Sequence, residues 1–168
     1  VVMFPRAAVE VAVVNPALLS HVAVPLGAMT VCGVGGAALV YRRATATTDV
    51  EADAENPFRL RPALFFGAVF AVVLLASESA NSWFGTSGVY ATAFVSGLAD
   101  VDAITLTLSR LAATGAISSH VAATGIVIGA IANTLVKAGL AWLIGTRQLA
   151  RLVTAVLGTV SLVGIGVV

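Results

Sequence analysis

The sequence predicts an all-α protein, a polytopic transmembrane bundle of about six helical segments. Of its 168 residues, 59% are hydrophobic and only 10% are charged, which is too apolar for a soluble globular domain. The apolar residues also form runs close to the roughly 20 residues that a helix needs to cross a bilayer. Strands of a membrane barrel are shorter and alternate apolar with polar residues, so helices are the better interpretation.

The apolar runs are separated by short stretches rich in Asn, Pro and Gly, such as "NPALLS", "NPFRLRP", "SWFGTSG" and "GTRQ". The first run is short and begins without Met, so we expect it to be the remaining part of a longer helix. In chain order, the predicted segments are Val1–Val14, Val22–Tyr41, Pro62–Ser79, Gly88–Leu111, Val121–Ile144 and Leu149–Val168.

Arginines predict the orientation of the bundle. Arg42, Arg43, Arg59 and Arg61 all fall in the connection between the second and third segments, and positive loops stay in the cytoplasm. If every segment crosses the membrane once, Arg110 and both chain termini lie on that same side. The expected location is therefore the inner membrane of the cell, as a multi-pass protein with cytoplasmic termini.

An internal repeat is suggested by residues 1–35, which align without gaps to residues 132–166 and place Arg6 on Lys137. Both stretches are rich in Gly, Ala, Val and Leu, so composition alone would produce some of the identities. Four segments separate the copies, and an even number predicts a parallel repeat about an axis along the membrane normal. The expected organisation is the tail of a first membrane repeat at 1–43, a charged cytoplasmic loop at 44–60 and a second membrane repeat at 61–168.

Two aspartates, Asp100 and Asp102, lie in the middle of the fourth apolar run, where a charge must be paired, hydrated or functional. In a regular helix, residues two apart point in different directions. Either the helix breaks there or the two acids have separate roles. A break would expose backbone carbonyls, which together with Asp100, Asp102, Ser96 and Thr105 would offer oxygen ligands to Mg²⁺ or another hard cation.

The fifth segment carries the predicted counter-groups. Gly125, Gly129, Asn133 and Lys137 recur every four residues, so they share one face, which we expect to pack against the aspartates. One interpretation is a structural Lys137–Asp salt bridge with Asn133 bonded to a freed carbonyl. The other is an ion or proton site, in which the second acid carries a proton or faces a hydrated cavity where a cation replaces it. Arg6, from the other copy, is the remaining candidate cation.

These residues leave three classes of function open. The first is a transporter or channel-like module for an inorganic cation, and the second is a regulatory or scaffolding membrane domain that transports nothing. An enzyme is disfavoured, because aspartyl catalysis places its two acids on separate elements and no Ser-His, Cys-His or phosphate-loop pattern occurs. The chain offers no stripe of Lys and Arg for nucleic acid. Arg6 and Glu10, four apart, predict an intrahelical pair.

Four motifs resemble a known family: "NPALL" at Asn15–Leu19, "NPFRLRPALFFG" at Asn56–Gly67, "SGLADVDAITLTLSRLA" at Ser96–Ala112 and "ANTLVKAGLA" at Ala132–Ala141. The family is the integral-membrane domain of unknown function that follows the MgtC/SapB domain in bacterial and archaeal inner-membrane proteins. The resemblance implies a longer parent with an upstream helical copy and a connection with magnesium homeostasis. The expected partners are the lipid bilayer, the upstream repeat or MgtC/SapB domain, and a second copy of the chain.

Overall fold

The computed structural model describes residues 2–43, 75, 85–144 and 147–167, and the regular structure in these ranges is helical. The predicted loop 44–60 and nearly all of the predicted segment Pro62–Ser79 lie outside the described residues. The all-α prediction is confirmed. The described helices are α1 (Met3–Val14), α2 (Pro16–Arg43), α3 (85–99), α4 (Val101–Ala113), α5 (Ser119–Ile144) and α6 (Arg147–Val167).

Three stretches of helix among the described residues are long and apolar enough to cross a membrane: Pro16–Leu39, Ser119–Gly139 and Ala150–Val167. Their outward faces are apolar as well, with Val31 74% and Leu162 71% exposed. Exposed apolar surface on this scale is typical of a protein embedded in lipid. The chain is therefore described as an integral membrane protein.

Two pairs of helices are separated by a single non-helical residue. Asn15 (φ −147°, ψ 85°) ends α1, and Pro16 opens α2 at the position where a missing N–H costs nothing. Asp100 (φ −156°, ψ 126°) separates α3 from α4, and its side chain accepts a hydrogen bond from the backbone N–H of Asp102 at 3.0 Å. The helix break that the sequence suggested at the aspartates is confirmed.

Helix α3 runs parallel to α5. A Cβ built on Gly125 would contact Ala93, and a Cβ built on Gly97 would lie 2.4 Å from the carbonyl oxygen of Gly129. One turn further along α5, the Asn133 side-chain amide donates to the Gly97 carbonyl at 3.2 Å. Positions along α3 and α5 therefore increase in the same direction.

Helix α4 runs the opposite way on the same face of α5. Leu108 is the neighbour of Gly125, and Ile104, which precedes it, is the neighbour of Gly129. Helices α3 and α4 thus form a hairpin whose tip is Asp100. At Gly115 (φ 76°), α4 ends in a Schellman turn, and a short connection returns the chain to the start of α5.

The tip of this hairpin lies deep in the bundle. Helix α5 has 26 residues, about 39 Å at 1.5 Å per residue, and Asn133, level with the tip, lies about 21 Å from its start. Both outer ends of the hairpin lie at the end of the bundle where α5 begins. The hairpin therefore enters the bundle and leaves it on the same side. We call it the re-entrant hairpin.

The directions of the other helices follow from two pairs of contacts. Helix α1 is parallel to α4, because Arg6 meets Asp102 at one end and the Asn15 side chain donates to the Ser109 carbonyl at 3.4 Å at the other. It is therefore antiparallel to α5. Helices α2 and α6 are also antiparallel, since Gly36 meets Val156 whereas the later Gly164 meets the earlier Met29.

These directions correct the predicted topology. Helix α2 ends with Arg42 where α6 begins with Arg147, which we call the Arg42 end of the bundle. The opposite end, where α5 begins at Ser119, also contains Arg110 and the end of α6 at Val167. The prediction that Arg110 and the C-terminal helix end share a side with Arg42 is wrong. The physical reason is that the fourth apolar run reverses at Asp100 instead of crossing.

The predicted parallel repeat is wrong for the same reason. Residues 1–35 and 132–166 occupy helices that run in opposite directions, α2 against α6 and α1 against α5. Rotation about the membrane normal preserves helix direction, so it cannot superimpose them. The prediction counted the fourth apolar run as one crossing of the membrane. Because this run reverses and does not cross, the number of crossings that relates the two copies is odd, and their directions are opposite.

Candidate functional site

Charged side chains from three helices meet at the tip of the re-entrant hairpin. Three are carboxylates and two are cations, and each has another member of the set as an ion-pair or electrostatic neighbour. We call the five residues the charge cluster: Arg6 and Glu10 of α1, Asp100 at the helix break, Asp102 of α4 and Lys137 of α5.

Arg6 joins two of the carboxylates. Its Nη2 forms an ion pair with Asp102 Oδ2, and its Nε lies 3.7 Å from Glu10 Oε1. The predicted Arg6–Glu10 pair is confirmed, but the arginine also reaches across to α4. The Asp102 side chain is 13% exposed and that of Arg6 is 58% exposed, so the carboxylate is largely buried while the guanidinium stays accessible.

Asp100 has a different environment from Asp102. Its Oδ1 caps α4, its backbone N–H donates to the Ser96 carbonyl at 2.8 Å, and the side chain is half-buried. Arg6 and Lys137 act on its carboxylate electrostatically, but no salt bridge to Asp100 occurs among the described residues. The two aspartates therefore have separate partners.

Asn133 lies where the sequence placed it, on the face of α5 that meets the hairpin, whereas Lys137, one turn later, is exposed. Asn133 bonds the carbonyl of Gly97 beside the helix break, as the structural interpretation expected. The Lys137–Asp salt bridge of that interpretation is not formed between the described residues. Arg6 pairs with Asp102 instead, and Lys137 Nζ donates to the Met3 sulfur at 3.1 Å.

The remaining predicted ligands, Ser96 and Thr105, are both buried. Thr105 lies one turn after Asp102 on the same side of α4, and its hydroxyl has no hydrogen-bond partner within the described part of the chain. In those same ranges, no three His, Cys, Asp or Glu side chains form a group that could hold a metal ion. A cation bound here would need hydroxyl and carbonyl oxygens in addition to carboxylates.

The charge cluster carries one more negative than positive charge when all its members are ionised. Two of its carboxylate oxygens, Glu10 Oε2 and Asp102 Oδ1, are buried without a hydrogen-bond partner among the described residues. Leaving such oxygens unsatisfied is costly in a low-dielectric interior. A proton or a small cation would relieve both the excess charge and the unsatisfied oxygens.

Glu10 is the member of the site that sequence reasoning missed. Its spacing from Arg6 suggested only a pair within α1. One signal could have found it. Arg6 and Glu10 are charged residues in an otherwise apolar run, "VVMFPRAAVEVAVV", and charges inside a membrane ordinarily face other helices and their polar groups.

A family model described as "Domain of unknown function (DUF4010)" matches residues 1–145. An uncharacterized protein of Aquifex aeolicus is 40% identical over 95 residues, which cover 56% of this chain and 41% of that relative. The matched part is thus about two fifths of the relative's length. No solved structure matches the chain.

Proposed function

The chain belongs to the family of the domain of unknown function DUF4010, and we propose that it exchanges protons for a hard inorganic cation across the membrane. The observation that carries the proposal is the excess carboxylate at the tip of a re-entrant hairpin, deep among apolar helices. A permanent uncompensated charge is costly at that depth. Binding of a proton or a cation therefore lowers the free energy of the charge cluster substantially.

Asp100 is the residue we assign to the exchange. Arg6 neutralises Asp102, whereas among the described residues Asp100 has backbone hydrogen bonds at the start of α4 and more distant positive charges in place of an ion pair. With Asp100 protonated, the cluster is neutral overall. When the proton leaves, a cation of one positive charge restores neutrality, whereas Mg²⁺ would leave the fully ionised cluster with one positive charge in excess. Mg²⁺ is included because hard cations prefer oxygen ligands.

Helix direction supports transport as well. The two aligned copies are antiparallel, and α2 and α6 begin at equivalent positions, Pro16 and Arg147, separated by the alignment shift of 131 residues. We propose that the copies form an inverted repeat about an axis in the membrane plane. Inverted repeats with discontinuous helices at their interface are characteristic of secondary transporters.

Packing between α2 and α6 agrees with that symmetry. Gly164 lies against Met29. Under the same shift, the counterparts of these two residues are Gly33 and Val160, and all four are buried. Arg6 and Lys137 are counterparts under the same shift, and both belong to the charge cluster. The site would then lie at the repeat interface.

A second candidate function is a regulatory or scaffolding domain that transports nothing. It is favoured by the Arg6–Asp102 and Asn133–Gly97 contacts, which join the hairpin to α1 and α5 and would serve assembly equally well. In either case we propose an inner-membrane location, with an upstream copy or an MgtC/SapB domain as partner. The greater length of the Aquifex aeolicus relative supports additional sequence in such a protein.

The test is proton flux in liposomes that contain the purified protein and a trapped pH dye. Gradients of Mg²⁺, Na⁺, Ca²⁺ or Mn²⁺ should drive proton movement in the opposite direction, and Asp100→Asn should abolish it. Asp100→Glu keeps the charge and should retain part of the flux. As a fold control, Thr134→Val removes a buried hydroxyl that bonds only within its own helix, at 2.7 Å to Ala130.

A binding measurement completes the test. A cation that binds only the folded protein raises its apparent stability, by about 2.7 kcal/mol at a concentration of 100 Kd. The stabilising ion should be the one that drives flux, and Asp100→Asn should remove the effect. Absence of both flux and stabilisation in the unmodified protein would refute transport and favour the scaffolding function.

A further inference from the structure

The interface between α1 and α4 contains a row of polar groups that the charge cluster does not explain. The Arg6–Asp102 ion pair lies at one end of this interface, and the Asn15–Ser109 hydrogen bond lies at the other. Because the two helices are parallel, Glu10 and Thr105 lie between these contacts. We call Glu10, Asn15, Thr105 and Ser109 the polar seam.

Two hydroxyls of the seam are buried and unsatisfied. Thr105 and Ser109 are each 0% exposed, and neither side-chain oxygen has a hydrogen-bond partner among the described residues. Ser and Thr in apolar helices ordinarily bond a carbonyl of their own helix. Thr107, on another side of α4 and equally buried, does so and donates to the Ala103 carbonyl at 2.8 Å. The unsatisfied hydroxyls are thus specific to the side that faces α1.

The seam continues from the charge cluster towards the Ser119 end of the bundle. Glu10 Oε2 is the unsatisfied oxygen at its inner end, where Arg6 joins Glu10 to Asp102 of the charge cluster, whose Oδ1 is also unsatisfied. At its outer end, Ser109 is followed by Arg110, which is exposed. Unsatisfied polar groups therefore continue from the charge cluster as far as Ser109, one turn before the end of α4.

We propose that the polar seam is a proton path between the charge cluster and the Ser119 end of the bundle. This rests on the proposed function, which it deepens by naming the route of the proton. Thr105 and Ser109 lie one helical turn apart, about 5–6 Å, a separation that one water molecule bridges. Each hydroxyl accepts one proton and releases another, so an O–H bond forms as one breaks and no charge remains on the path. At the inner end of the seam the Glu10 carboxylate accepts the proton and passes it to Asp100, the residue assigned to the exchange, whose charge interacts with that of Glu10.

Cysteine accessibility tests the path without depending on transport. In a Cys32→Ala background, Thr105→Cys and Ser109→Cys are each reacted with a charged, water-soluble methanethiosulfonate and compared with Thr107→Cys. Cysteine reactivity follows thiolate character and exposure, so the two seam positions should react at least about tenfold faster than position 107. Equal, slow reaction at all three positions would overturn the proposal.

Proton flux separates the two proposals. Thr105→Val has nearly the same shape but lacks the hydroxyl, and it should lower proton flux at least about tenfold, whereas Thr107→Val should not, because its hydroxyl bonds only its own helix. If the unmodified protein transports protons and both Thr105→Val and Thr107→Val keep that flux, the path is refuted and the transport proposal stands. Reactive seam cysteines in a protein without flux would refute transport and leave a hydrated seam.

Discussion

The contact between α3 and α5 makes a sharp prediction for Gly97→Ala. A Cβ at this position would lie 2.4 Å from the carbonyl oxygen and 2.6 Å from the Cα of Gly129. Both atoms belong to the backbone of α5, so no flexible side chain can move aside. The hairpin must therefore shift away from α5, and Asn133, which bonds the Gly97 carbonyl, loses its geometry.

The expected cost combines two effects. Overpacking of a close contact costs about 1–3 kcal/mol, and weakening the hydrogen bond to the Gly97 carbonyl adds about 1 kcal/mol. Against this, replacing glycine by alanine within a helix is favourable by about 0.5–1 kcal/mol. The net prediction is a loss of roughly 1–3 kcal/mol, because contact with rigid backbone outweighs helix propensity.

Gly139→Ala is the matched control. Gly139 lies on α5, the helix that Gly97 contacts, and a Cβ built there would meet nothing within 4 Å. Thermal unfolding of both variants in one detergent, followed by circular dichroism, should show opposite shifts. A change of 1 kcal/mol corresponds to about 2–4 °C for chains of 150–250 residues. A melting temperature for Gly97→Ala equal to or above that of Gly139→Ala would refute the close packing and the register of the hairpin.

Three further predictions concern the charge cluster and the topology. Arg6→Gln should destabilise the protein by about 1–3 kcal/mol, because it leaves the Asp102 carboxylate unpaired. Adding Asp102→Asn should recover part of this loss. Additive effects of the two substitutions in a double-mutant cycle would contradict the ion pair. Asn133→Ala should cost about 1–3 kcal/mol in thermal unfolding, since the freed carbonyl of α3 loses its donor; no change would argue against that bond. Single cysteines replacing Arg42 and Val167 should react with membrane-impermeant reagents from opposite sides, and labelling of both from one side would disprove the re-entrant hairpin.

Local properties of the sequence were sufficient for the helices and for the break at the site. Apolar runs of near-spanning length predicted the segments, and the ends of α5 and α6 differ from those expected by about two residues. A break near the aspartates was also suggested, because two acids two residues apart point in different directions on a regular helix, and in the structure Asp100 forms this break as the N-cap of α4. Asn133 could be placed beside that break because a repeat of four residues defines one helix face.

What followed the break depended on tertiary structure. An apolar run looks the same whether it crosses the bilayer or reverses within it, because lipid and protein interior select the same side chains. Reversal at Asp100 is decided by two dihedral angles and by the glycines of α5, which let α3 and α4 pack on one face. From that single turn follow the opposite directions of the two aligned copies and the separation of Arg42 from Val167.

Pairing of the charges was also decided by tertiary structure. The sequence predicted the Arg6–Glu10 pair within one helix but left the partners of the two aspartates open, with Lys137 as the expected one. In the fold, α1 lies parallel to α4, and this brings Arg6 to Asp102 and places Glu10 level with Thr105. Ion pairs form between whichever opposite charges the packing of apolar faces brings together, since burial of those faces sets the order and direction of the helices.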